Sequence, residues 1–144
     1  MINRPLIKAS FPVKTDQEMK ALGAKLASYM KAPQVVALYG TLGAGKTTFV
    51  RGFIQALSKE EVPSPTFTLL QTYSTDQGDI YHYDFYRLKS PEEALELNID
   101  EAFSFGISFL EWPEKIGKYL PKKHIKITIE VLGTERLVTL EGVQ

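Results

Sequence analysis

Apolar residues recur along this chain at several spacings, and each spacing predicts an element. Met19, Leu22, Leu26 and Met30 return to one face of a 3.6-residue turn, and Thr15 with Glu18 has the spacing of a capping box, so a helix opens here. It is expected to end near Lys31, before Pro33. Gln34 to Tyr39 is an almost wholly apolar run closed by Gly40, the pattern of a strand buried on both faces. Lys46 to about Leu57 reads as a second helix. After Pro63-Ser64-Pro65, the aromatic and β-branched stretches Phe67 to Tyr73 and Asp79 to Phe85 flank Thr75-Asp76-Gln77-Gly78, predicting two strands joined by a turn. Ser90-Pro91-Glu92-Glu93 carries a helix start, and Asn98-Ile99-Asp100 cuts that helix short. Gly106 to Leu110 reads as a further buried strand with Glu111 at its C-terminal end. Ile125, Ile127, Ile129 and Val131 alternate with Lys126, Thr128 and Glu130, then Gly133-Thr134 turns the chain into Arg136 to Glu141. This predicts a half-exposed antiparallel hairpin.

Composition narrows the function classes. At 144 residues, with no internal repeat or linker-like tract, residues 1–144 are expected to form one domain with one core. With no cysteine there is no disulfide, thiolate nucleophile, iron-sulfur site or Cys-ligated zinc, and two histidines, His82 and His124, are too few for a His-rich metal site. The first residues are broken by Arg4, Pro5 and Lys8 and lack the apolar run of a signal peptide. No stretch approaches a membrane span, so a reducing, cytoplasmic location is expected. Basic and acidic side chains number 17 each, which disfavours holding nucleic acid by bulk electrostatics. That zero conceals a segregation: residues 1–60 carry nine basic and three acidic side chains, 61–114 two and eleven, 115–144 six and three.

The decisive chemistry lies in Gly40-Thr41-Leu42-Gly43-Ala44-Gly45-Lys46-Thr47, a complete G-x-x-x-x-G-K-[ST] string between a predicted buried strand and a predicted helix. Its glycines allow consecutive N–H groups to face phosphate oxygens. Lys46 would neutralise the β- and γ-phosphates, Thr47 would offer its hydroxyl to Mg²⁺, and the Thr48 N–H would reach the α-phosphate. Neither N-K-x-D nor D-x-x-G occurs, so adenine is favoured over guanine by elimination. The only arginines are Arg4, Arg51, Arg87 and Arg136, and an arginine-bearing lid of the small-molecule kinase type is hard to place. A carboxylate is wanted behind Thr47 at a strand end. Glu111 and Asp84 both have that context, though Asp84 could instead pair with Arg87. His82 is a candidate acid or base, but a strand histidine among tyrosines reads rather as packed and hydrogen-bonded, and Trp112 reads as a neighbour of the site.

Four segments together resemble the TsaE (YjeE) family, the small bacterial ATPases of threonylcarbamoyl modification at adenosine 37 of tRNA. They are Leu38 to Phe49 with Arg51-Gly52, Ser64 to Leu69, His82-x-Asp84-x-Tyr86-Arg87-Leu88, and Glu111-Trp112-Pro113-Glu114. The resemblance runs from about residue 10 to 132. It implies ATP and Mg²⁺ as ligands, slow hydrolysis, Thr47 and Glu111 on the metal, and Asp84 as an essential acid near the water or the metal shell. Ser64-Pro65-Thr66 then resembles a switch loop whose hydroxyls, Thr66 among them, are of the type that senses a γ-phosphate, and Asp16 lies on the adenine-ribose side. The implied partners are TsaB and TsaD, with tRNA reached only through them and no membrane. The expected fold is a three-layer α/β P-loop domain whose mixed sheet has a parallel centre and antiparallel strands, including the C-terminal hairpin. A small-molecule kinase and a nucleotide-gated binding module remain the competing readings.

Overall fold

The computed structural model describes residues 8–41, 43–58 and 69–143. Seven strands form one sheet: β1 Lys8–Val13, β2 Gln34–Gly40, β3 Leu70–Thr75, β4 Gly78–Asp84, β5 Ile107–Glu111, β6 His124–Leu132 and β7 Glu135–Val143. Their spatial order is β1-β7-β6-β2-β5-β4-β3. The central pairings β6–β2, β2–β5 and β5–β4 are parallel, while β3–β4, β6–β7 and β7–β1 are antiparallel. The expected mixed sheet with a parallel centre is therefore present. Because β2, β5 and β4 run the same way, Leu38 stands beside Glu111, and Glu111 beside Asp84, at one end of the sheet.

Two apolar layers sandwich this sheet. On one face, helices α1 (Asp16–Ala27) and α2 (Lys46–Leu57) cover Val36, Leu38, Phe109, Ile127 and Ile129. On the other, Val35, Leu110, Tyr83 and Phe85 pack with Ala94, Ile99, Ala102 and Ile116 from two 3-10 helices, Pro91–Leu97 and Pro113–Tyr119, and helix α3 (Ile99–Phe105). β5 is buried along its whole length, as a strand covered on both faces must be.

Local chemistry explains most boundaries. The Thr15 hydroxyl accepts from the Glu18 N–H at 3.0 Å, while the Glu18 carboxylate accepts from the Lys14 N–H at 2.9 Å, one residue before the cap. α1 stops at Ala27, earlier than the expected Lys31. Ser28 folds its hydroxyl onto the Lys25 carbonyl, and a turn still delivers Met30 to the core. Leu70–Thr75 begins later than the predicted Phe67; residues 67 and 68 lie outside those described. The helix that opens at Pro91 ends at Leu97, as expected; at Asn98 the backbone enters the left-handed region (φ 61°) and the chain restarts as α3, an element the pattern did not predict. β1 has no counterpart among the elements the pattern predicts: Pro12, which has no N–H to give, is accommodated because β1 is an edge strand.

Candidate phosphate-binding site

The glycine-rich loop joins β2 to α2. Gly43 (φ 81°) and Gly45 (φ 109°) occupy conformations that a side chain would strain, and a Cβ on Gly45 would also sit 3.1 Å from Met19 Cε of α1. α1 therefore braces the loop. Lys46, Thr47 and Thr48 open α2, where the first N–H groups have no intrahelical acceptor and the helix dipole favours an anion. Arg136 of β7 holds the loop from the other side, its Nε donating to the Ala44 carbonyl at 3.2 Å. The Ala44 N–H is folded back onto the Thr41 carbonyl at 3.0 Å, so it would have to leave that bond to meet a phosphate.

Lys46 is only 4% exposed. Its Nζ donates to the Gly40 carbonyl at 2.9 Å and lies 3.8 Å from the centre of the Trp112 ring. Burial holds this ammonium below the usual lysine range, and the nearby Glu111, Glu114 and Asp84 charges pull it partly back. Trp112 has a left-handed backbone (φ 59°, ψ 52°), unusual for a bulky residue, and its ring also packs on Tyr86 at 5.0 Å.

At the ends of β5 and β4 the acids converge. Thr47 Oγ1 lies 3.0 and 3.2 Å from the two Glu111 oxygens and donates to them. His82 Nε2 stands 2.6 Å from Glu111 Oε2, with the imidazole wholly buried. Asp84 is Glu111's register partner, and its Oδ1 accepts from the Tyr86 N–H at 3.0 Å. Burial pushes the Asp84 carboxyl above its ordinary range, more than the Tyr86 bond lowers it, and Glu111 adds to the rise. Asp16 is exposed in the first turn of α1. Thr66, with Ser64 and Pro65, lies outside the described residues.

The structure thus brings Lys46, Thr47, Glu111 and Asp84 together. It adds two contacts that sequence reasoning left aside: His82 on Glu111 and Arg136 on the loop. The model of a family described as threonylcarbamoyl adenosine biosynthesis protein TsaE matches residues 13–138. The chain belongs to the TsaE family. Among its relatives, the tRNA threonylcarbamoyladenosine biosynthesis protein TsaE of Rickettsia felis is 45% identical over 123 residues, covering 84% of this chain and 72% of that protein. The Bacillus subtilis protein of the same description is 38% identical over 130 residues, covering 88% and 81%. The crystal structure of B. subtilis YdiB superposes with a TM-score of 0.78 at 30% identity, over 99% of this chain and 90% of that one. The mixed sheet and phosphate loop are thus those of a P-loop NTPase-like fold. No helix among the described residues is long and apolar enough to cross a membrane.

Proposed function

We propose that this TsaE-family chain is one P-loop domain that binds ATP with Mg²⁺ and hydrolyses it slowly, acting on TsaB and TsaD in the threonylcarbamoyl modification of tRNA in the cytoplasm. One observation carries the reading: the hydroxyl of the loop's Thr47 is hydrogen-bonded to Glu111 at the end of the neighbouring parallel strand, next to Lys46. The donors are hard oxygens, as magnesium requires. Among the described residues no three His, Cys, Asp or Glu side chains form a cage, and magnesium bound through phosphates does not need one.

Thr47 and Glu111 would hold the ion, which when bound neutralises charge on the β- and γ-phosphates. The chain's own groups do the rest. The amides of Gly43, Gly45, Lys46, Thr47 and Thr48 face the phosphates, with Ala44 joining if its turn opens. Lys46 exchanges the Gly40 carbonyl and the Trp112 face for phosphate oxygen. Asp84, whose burial favours the protonated form, is suited to accept a proton from the attacking water once its carboxylate is formed. Asp16 is assigned to the ribose side and Thr66 to the γ-phosphate. The exposed acids Glu92, Glu96, Asp100 and Glu101, around the exposed Leu95 and Phe105, are assigned to the protein partner.

ATP turnover measured with and without TsaB and TsaD tests this reading. Strong stimulation by the pair, lost in Glu111→Gln, is expected. Partner-independent phosphorylation of a small molecule would replace the proposal with a kinase.

A further inference from the structure

Among the described residues near the site, His82 is the one wholly buried side chain whose polar function the mechanism has not used. Its ring lies diagonal to Glu111 across the β4–β5 ladder: His82 pairs with Phe109, and Glu111 with Asp84. Diagonal neighbours on one face of a sheet are within reach of long side chains, so the 2.6 Å contact between Nε2 and Oε2 follows from the register. Facing a carboxylate that only accepts, Nε2 carries the hydrogen. Nδ1, at the other end of the ring, is buried and has no hydrogen-bond partner among the described residues.

That asymmetry is informative. A residue needed only to fill the space beside Phe109 would be apolar, because an unpaired buried nitrogen is costly and packing alone does not require it. Among the described residues, the sole polar contact of the ring goes to Glu111. Thr47 has a single hydroxyl hydrogen shared between two nearly equidistant oxygens, so it does not select an orientation for the carboxylate. The terminal torsion of a glutamate is broad, and only the His82 bond is specific to Oε2.

We propose that His82 is a positioning residue, whose Nε2–H fixes the plane of the Glu111 carboxylate so that it presents its oxygens toward Thr47 and the cation. The inference rests on the reading of Glu111 as the magnesium carboxylate. Hydrogen-bonding partners of metal ligands typically contribute tenfold to a hundredfold to metal affinity.

The imidazole geometry supplies the test. A glutamine can place its amide nitrogen where Nε2 stands, whereas the shorter asparagine amide falls nearer Nδ1, which serves no partner among the described residues. Mn²⁺ affinity in the presence of ADP, read by electron paramagnetic resonance, is compared in the wild type, His82→Gln, His82→Asn and Glu111→Gln. ADP affinity in EDTA and the melting temperature are followed in each. His82→Asn should lose about tenfold to a hundredfold in Mn²⁺ affinity. His82→Gln should stay near the wild type, and metal-free ADP binding should hold in both. Unchanged Mn²⁺ affinity in His82→Asn, with Glu111→Gln impaired, overturns the positioning role alone. Equal losses in His82→Asn and His82→Gln, matched by loss of metal-free ADP binding, assign His82 a merely structural role and overturn it too. Unchanged affinity in Glu111→Gln removes the metal reading and this inference with it.

Discussion

Gly52→Ala separates two forces that predict opposite signs. Inside an α-helix, alanine is preferred to glycine by about 1 kcal/mol, so helix propensity alone predicts a more stable protein. The tertiary structure predicts the reverse. A Cβ at Gly52 would lie 2.1 Å from the Lys20 carbonyl oxygen and 2.6 Å from the Lys20 Cα of α1, and both obstacles are backbone. An ordinary C···O contact needs about 3.3 Å, so the helices would have to part by roughly 1 Å. Gly23 makes the reciprocal approach, its Cβ position being 2.1 Å from the Phe49 carbonyl oxygen, so the crossing cannot yield by sliding onto its other contact. Overpacking against backbone belongs at the upper end of the usual range, about 3 kcal/mol. Subtracting the propensity gain leaves about 2 kcal/mol of destabilisation, a fall of about 4–8 °C in melting temperature for a chain of this size. Circular dichroism melts of Gly52→Ala beside Gly142→Ala provide the measurement. A Cβ on Gly142 meets nothing within 4 Å, and that variant should match or slightly exceed the wild type. Because α1 carries Met19 against Gly45, the Gly52 variant should also lose nucleotide affinity. A Gly52→Ala protein melting at or above the wild type would refute the reasoning.

Two further outcomes follow from the charges of the site. The Asp84 carboxyl is raised in the folded protein, so the fold binds that proton more tightly than the unfolded chain does. Stability is therefore lost as pH climbs from the ordinary carboxylate range through the raised value, and the deficit persists above it. Asp84→Asn should melt above the wild type at about pH 8 and level with it near pH 3; an equal gap at both would deny the shift. Trp112 is the sole tryptophan, and Lys46 rests on its ring, so ATP should change its emission. Lys46→Ala should abolish that change and weaken ATP binding about tenfold to a hundredfold, the range for a charge-assisted hydrogen bond; unchanged affinity by calorimetry contradicts the site assignment.

How much was legible beforehand depended on the distance over which each signal acts. The Thr15 cap, the α2 boundaries, the Gly133-Thr134 turn and the glycine string are local in sequence, and the structure follows them. The helix opening at Ser90-Pro91 was legible from its start signal, though nothing there distinguished a 3-10 from an α-helix; Pro113–Tyr119 has no 3.6-residue stripe to betray it, and the restart at α3 depends on one left-handed residue, Asn98. The strand order places β6 between β7 and β2, a pairing that no local pattern encodes. Arg136 meets Ala44 across 92 positions of sequence, so its hold on the phosphate loop becomes visible only when the sheet is assembled.

His82 shows most clearly what register adds. Read along the chain it stands between Tyr81 and Tyr83, and packing among aromatics is the natural inference. A strand alternates its faces, however. Tyr83 and Phe85 belong to the α3 side of the sheet, where their rings stack at 5.2 Å, whereas Ile80 joins the α1–α2 core. His82 and Asp84, two and four residues after Ile80, share its face, and the parallel pairing with β5 brings Glu111 onto that same face. The sequence neighbours of His82 are thus not its chemical neighbours. An acid at the end of an apolar run can be recognised as a candidate ligand because parallel strands finish together at one edge of a sheet. The residue that steadies it lies one pleat further back, where only the pairing of two strands reveals which way it points.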